Sequence, residues 1–319
     1  MRRHGLTLLS LLAVIVTGLG GCSSDGGKKA GEGAVATSST AVPALSAVTI
    51  RAREYGFDGP PEIEGGVVHL TLQNDGKLKH EAVIVDAGDT PLDQLKADLT
   101  PVVKGDGKPV PASLHFRGGV SLVPGGASWA ATLTLPPGKY VFVCTLTDAD
   151  SADATAVSSP AGADRFHYDL GMALPFTVKA ANRAVMPPTD GTVGARDWAF
   201  DLPPLSPGAR TLTFRNDGQQ DHSLGLAEFA DGVDPAAAKA AFDQFLKADA
   251  AGQRPPDNLP APTDVAFAGP LSAGGQATFT VELKPNRTYV FACYMADRSG
   301  GPIHASGKGM VAYVTVPAR

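Results

Sequence analysis

From Val67 to Gln73 the chain alternates. Val68, Leu70 and Leu72 fall on one side, and Val67, His69, Thr71 and Gln73 on the other. That period of two belongs to a strand with one buried face, and it leaves His69 toward solvent. A turn, Asn74-Asp75-Gly76, follows, then His80 and the apolar run EAVIV. The same order returns later as LTFRNDGQQDHSLGL, with Asn216-Asp217-Gly218 and His222 in register. Each copy next changes period. In the first, Thr90 is placed to cap a short helix, with Pro91 at its first position and Leu92, Leu95 and Leu99 on one side. In the second, Asp234 caps, Pro235 follows, and Phe242, Phe245 and Leu246 form the stripe. Strands resume in both copies and end on Tyr140-x-Phe142-x-Cys144 and Tyr289-x-Phe291-x-Cys293, three same-face residues each time. The chain therefore reads as two copies of one all-β unit, each with a short inserted helix.

Composition agrees with that reading. Of 319 residues, 37 are glycine, 26 are proline and 18% are charged, which suits many short strands joined by turns. A net charge of −5 offers no basic face for nucleic acid. The start, MRRHGLTLLSLLAVIVTGLGGC, has a basic opening, an apolar run from Leu6 to Val16 and small residues before Cys22. It reads as a secretory signal, not a spanning helix. Leu19-Gly20-Gly21-Cys22 resembles the bacterial lipobox, which implies cleavage before Cys22 and lipid attachment to its sulfur. The expected organisation is a signal over 1–21, a flexible Gly/Ser/Ala-rich linker over 22–46, a first domain over 47–179, a linker over 180–191 and a second domain over 192–319. The expected location is outside the cytoplasm, moored to a membrane through the lipid.

Two cysteines remain, Cys144 and Cys293, one per copy and both at a strand end. Three roles suit them: a disulfide, buried inert thiols, or metal ligands. Each is followed by a histidine and a Gly-Met pair: His167 and Met172 in the first copy, His304 and Met310 in the second. Thiolate, imidazole and thioether are soft donors, and two histidines, a cysteine and a weak methionine form the set of an electron-transfer copper site. His80 and His222 supply the remaining imidazoles. His69 and His115 have no counterpart in the second copy and read as surface residues.

With these motifs, each copy resembles a cupredoxin, the small Greek-key β-sandwich of plastocyanin and its relatives. The resemblance covers about residues 47–317 and rests on the Asn-Asp-Gly turn before His80 or His222, the Tyr-x-Phe-x-Cys strand, and the closing His and Gly-Met. It implies up to two coppers per chain: one at His80, Cys144, His167 and Met172, the other at His222, Cys293, His304 and Met310. One departure stands out. Cupredoxins place the cysteine and second histidine a few residues apart, whereas here 23 positions separate Cys144 from His167 and 11 separate Cys293 from His304. Long insertions close at little extra entropic cost, so the ends can still meet; equally, such loops can belong to a sandwich released from metal binding. Within the second loop, Asp297-Arg298 reads as an exposed ion pair or as part of a docking face.

Three classes follow. The first is an extracytoplasmic copper protein that carries electrons to and from a redox partner, or holds copper. The second is a metal-free pair of sandwiches that binds a partner in the cell envelope. The third, an enzyme such as a copper oxidase, needs further histidines in His-x-His or His-Cys-His patterns. The chain has seven histidines and neither pattern, so the expectation is a protein that is not an enzyme.

Overall fold

The computed structural model describes residues 45–148, 165–251, 253 and 255–318. The signal, Cys22 and most of the first linker lie outside the described residues. The described residues belong to one compact unit.

Sixteen strands and four helices make up the described part. The first copy contributes β1 (Ser46–Arg53), β2 (Gly56–Asp58), β3 (Glu62–Asn74), β4 (His80–Asp86), helix α1 (Leu92–Lys104), β5 (His115–Val123), β6 (Ser128–Leu135), β7 (Gly138–Val143), the single turn α2 (His167–Leu170) and β8 (Ala173–Ala181). The second repeats the order as β9 (Gly191–Arg196), β10 (Ala199–Asp201), β11 (Gly208–Asn216), β12 (His222–Glu228), α3 (Pro235–Ala250), β13 (Thr263–Leu271), β14 (Gln276–Leu283), β15 (Thr288–Ala292), α4 (His304–Gly307) and β16 (Val311–Thr315).

Each copy is a two-layer, Greek-key sandwich of the cupredoxin type. In the first, β2-β1-β3-β6 face β8-β7-β4-β5; in the second, β10-β9-β11-β14 face β16-β15-β12-β13. The inward positions fill the space between layers: Val68, Leu70, Leu72, Phe142 and Cys144 in one copy, Leu212, Phe214, Phe291 and Cys293 in the other. Strands β4 and β12 are buried almost end to end, because the helices cover their outer faces. Leu95 and Leu99 of α1 pack on Val83, Val85, Val141 and Val143, and Phe242 of α3 packs near Ala227, Val290 and Ala292. Burial on both faces explains why EAVIV is a continuous apolar run instead of an alternating one.

The helix starts differ from one another. Asp234 caps α3 as expected, its carboxylate accepting the amides of Ala236 and Ala237. Thr90 does not cap α1: Pro91 stands at the cap, no side chain bonds the free amides, and Leu92 opens the helix.

The two copies join edge to edge in both layers. β5 pairs antiparallel with β13 through Val120–Ala268 and Arg117–Leu271, and β6 pairs antiparallel with β14 through Leu133–Ala277. Val120 and Ala268 occupy equivalent positions of the two repeats, each opposite the second residue after the site histidine, so the Val120–Ala268 contact maps onto itself under a half-turn. The copies are thus related by a pseudo-twofold axis. A clamp crosses the seam as well. Arg298 pairs with buried Asp221 at 2.5 Å and donates to the carbonyls of Pro111 and Leu114 at 3.0 and 3.1 Å. Asp297 points instead at His304 and Lys308. Asp297-Arg298 is therefore not an exposed ion pair: the two side chains diverge, and each is anchored in its own polar network.

Candidate metal centres

The first histidine of each centre is placed by a buried asparagine. The amide nitrogen of Asn74 donates to the carbonyls of Leu78 and Val123, and its oxygen accepts the amide of Gly76. Asn216 repeats this with Gln220, Leu271 and Gly218. Three bonds made by one buried side chain fix the turn that feeds β4 or β12, so His80 and His222 enter at the same point of each sandwich. Losing such a side chain strands its partners, at about 1–3 kcal/mol for each group left buried and unpaired.

The cysteine is held from the other side. Cys144 N–H donates to the Met172 carbonyl at 3.1 Å, and Cys293 N–H to that of Met310 at 3.2 Å. The amides of Met172 and Met310 bond the carbonyls of His167 and His304. These backbone bonds tie cysteine, histidine and methionine into one knot in each copy. Gly171 is needed there: its φ is +131°, and a Cβ would lie 2.5 Å from the Tyr55 carbonyl oxygen.

The long connections do return. Cys144 Sγ lies 3.4 Å from His167 Nδ1 and 3.9 Å from His80 Nδ1. Cys293 Sγ lies 3.4 Å from His304 Nδ1 and 3.6 Å from His222 Nδ1. All six side chains are fully buried, and so are Met172 and Met310, which pack in the same core clusters as their cysteines. Bond lengths of about 2.0 Å to nitrogen and 2.3 Å to sulfur put the two donors roughly 3.5–3.7 Å apart around a tetrahedral or trigonal ion. Both triads fit an ion at that spacing. Donor chemistry then selects among metals: thiolate and thioether beside two imidazoles favour copper. The structure thus holds two candidate type-1 copper sites, with room for up to two coppers. Cys144 and Cys293 are not joined in a disulfide.

Second-layer groups complete each centre. Asp148 Oδ1 lies 3.0 Å from His167 Nε2, and Tyr55 Oη donates to the same carboxylate. Asp297 Oδ1 lies 3.2 Å from His304 Nε2, within ion-pair range but off the line of a good hydrogen bond. Asp197 accepts the amides of Gln219 and Gln220 and sits 3.1 Å from His222 Nε2. Its counterpart Glu54 accepts the amides of Lys77 and Leu78, but His80 Nε2 has no hydrogen-bond partner among the described residues. Tyr55 and Trp198 set their rings edge-on to His167 and His304, at centroid distances of 5.6 and 4.9 Å. Both have left-handed backbones, φ +62° and +75°, a strain that non-glycine residues keep where a site demands it. The sequence reading gave none of these six a place at a metal centre, and took Asp297 only as half of an ion pair with Arg298. The signal was in the repeat: Glu54-Tyr55 aligns with Asp197-Trp198, and Asp148 and Asp297 each stand four residues after their cysteine.

Burial sets the protonation of the unloaded centres. It pushes the Cys293 thiol up to about 11. It also depresses the histidines: His80 to about 4, with repulsion from His167 adding to burial, and His304 to about 4, with His222 adding. For Asp197, burial works upward, yet the two backbone amides and His222 hold its pKa below the usual carboxylate value. At neutral pH His80 and His304 are therefore neutral and able to ligate, and Cys293 gives up its proton only to a metal.

No protein-family model matches the chain, and no curated protein matches it either. Solved structures do. Auracyanin from the photosynthetic bacterium Roseiflexus castenholzii is 26% identical, covering 40% of this chain and 94% of its own, with a TM-score of 0.26. Auracyanin A from Chloroflexus aurantiacus, described as a "blue" copper protein, is 23% identical over 42% of this chain and 99% of its own, with a TM-score of 0.28. An azurin from Methylomonas sp. strain J is 19% identical over 39% and 95%, with a TM-score of 0.23. With TM-scores this low, none of the three bears on what this chain holds. The donor sets and their spacing do.

Proposed function

We propose that this chain is a two-centre copper protein of the electron-transfer type, with one copper held by His80, Cys144, His167 and Met172 and the other by His222, Cys293, His304 and Met310. The observation that carries the reading is the convergence, twice, of two imidazole Nδ1 atoms on one buried thiol within 3.4–3.9 Å. Copper bound there supplies a one-electron couple. The chain's residues do the rest. Strand backbones and the Cys-to-Met bonds hold the donors at fixed spacing, so little rearranges when charge changes. Carboxylates on Nε2 orient His167, His222 and His304 and make them better donors. Full burial keeps water off the sulfur.

The same reading places the protein outside the cytoplasm, moored through lipid on Cys22, acting as a carrier for a redox partner or as a copper store and not as an enzyme. The signal-like start and the lipobox resemblance support the mooring. The absence of His-x-His and His-Cys-His patterns supports the carrier role. Titration of purified protein with Cu(II) tests the metal centres. Two equivalents should bind, with intense visible absorption from sulfur-to-copper charge transfer. A colourless protein, or equal binding by the double variant Cys144→Ser/Cys293→Ser, would refute it.

A further inference from the structure

Every ligand side chain of both centres is 0% exposed, so an electron leaves only by crossing other residues. Beside the closing histidine, each copy holds a ring that reaches both the imidazole and solvent. Tyr55 meets His167 edge-on and Trp198 meets His304 likewise, with ring planes 77° and 78° apart. Both residues are partly exposed, and neither belongs to a hydrophobic core cluster. Their place is at the ligand and not in the packing of the sandwich.

Both rings stand at hairpin tips. β1 and β2 pair Arg53 with Gly56, which leaves Glu54-Tyr55 as the turn; β9 and β10 pair Arg196 with Ala199, which leaves Asp197-Trp198. The second residue of each turn has a positive φ, where glycine or asparagine costs least. A large aromatic takes that place in both copies, so the strain is kept for where the ring sits and not for the turn itself. The aromatics next in chain to a ligand are not repeated: Phe166, Tyr168 and Tyr294 are matched by Ile303, Ala305 and Thr145. The hairpin position keeps its ring in both.

We propose that Tyr55 and Trp198 are the electron ports of the two centres, each passing the electron between its ligand imidazole and a one-electron redox partner seated on the hairpin tip. This rests on the copper reading above. An edge-on π contact replaces a jump through saturated chain with a short conjugated bridge. The ring keeps its own oxidation state while the electron crosses. The Lys308 ammonium lies 4.6 Å from the centre of the Trp198 ring, and a cation there opposes loss of an electron from the indole. The Tyr55 hydroxyl keeps its proton, which it donates to the Asp148 carboxylate. The step therefore balances simply: one electron passes between centre and partner, and no bond or proton moves.

Single-centre chains test the ports. The Cys293→Ser chain keeps the first centre and the Cys144→Ser chain the second. Each, loaded with one Cu(II), should show the charge-transfer band; absence of the band in both sinks the copper reading itself. With the band present, each chain is reduced and its oxidation by hexacyanoferrate(III) is followed by stopped flow. Tyr55→Leu in the first chain and Trp198→Leu in the second should slow oxidation about tenfold or more, with band and potential unchanged. Tyr55→Phe and Trp198→Phe keep a ring and should stay within about threefold of the parent rate. Leucine still covers the imidazole, so a mere lid predicts equal rates for leucine and phenylalanine. Leucine variants as fast as the parent, phenylalanine variants as slow as leucine, or a rate that falls only together with the band or the potential overturns the proposal. A second readout needs neither turnover nor a leucine variant. The chain has two tryptophans, Trp129 and Trp198, so in the Cys144→Ser chain with Trp129→Phe all tryptophan emission comes from Trp198. Loading with Cu(II) should quench most of it. Emission that survives loading overturns the port at the second centre, whether or not the leucine variants fold.

Discussion

The connection from cysteine to histidine spans 23 positions in one copy and 11 in the other, yet sulfur and Nδ1 end 3.4 Å apart in both. The reason is a pair of matching closures. Thr147 bridges Phe166, and Ala296 bridges Ile303, three residues past each cysteine and one before each histidine. Everything longer in the first copy lies beyond its bridge. Loop length is thus uncoupled from the donor set, and the metal geometry is set by strand ends and the few bonds that close them.

The sharpest way to break this equivalence is to remove one sulfur at a time. Cys144→Ser and Cys293→Ser should each lower copper stoichiometry from two to one and remove about half of the visible absorption, as read by metal analysis and spectroscopy. If either single variant empties both centres, the copies are not independent binders.

Metal removal comes next in size. In the unloaded protein His80 and His304 are held near 4, below an unfolded value of about 6.5. The unfolded chain then takes up protons first as pH falls. Stability should be flat above about 6.5, fall between 6.5 and 4, and level off below; the loss is on the order of a few kcal/mol across the two residues. Denaturant midpoints of the unloaded protein against pH measure it, and bound copper should flatten the slope.

The carboxylates give a smaller, more pointed comparison. Asp148→Asn and Asp297→Asn should each weaken copper binding about 10- to 100-fold at their own centre and leave the other unchanged. Competition against a chelator in the matching single-centre chains reads this directly. Asp148 makes the better aligned bond, so its loss should cost more.

The least effect is expected from exchanging loops. Replacing residues 149–165 with the segment Arg298–Pro302 keeps Asp148, Phe166 and the bridge between Thr147 and Phe166. The first centre should still bind copper with an absorption maximum close to that of the parent. A lost band would mean that loop length matters after all.

Much of this was legible in the sequence, because the chain states its plan twice. The alternation around Leu70, the Asn-Asp-Gly turns and the Tyr-x-Phe-x-Cys strands each carry local physics, and repetition separates signal from chance. The ligands were readable for the same reason: His222, Cys293 and His304 are the only such side chains in the second copy. The bridges, Asp148, Asp197 and the αL aromatics were not, since their roles exist only after distant segments meet. Asp297 and Arg298 misled because adjacent opposite charges suggest each other as partners. In the fold one turns inward to an imidazole and the other reaches the opposite copy.

The seam has a further consequence. Strands β5, β6, β13 and β14 find their outer hydrogen-bonding partners only in the other copy. Either copy produced alone would carry two raw strand borders, one per layer, each already shaped to accept an antiparallel neighbour. Such a fragment would pair with its own twin, rebuilding from two molecules the arrangement that one covalent chain now guarantees at any dilution.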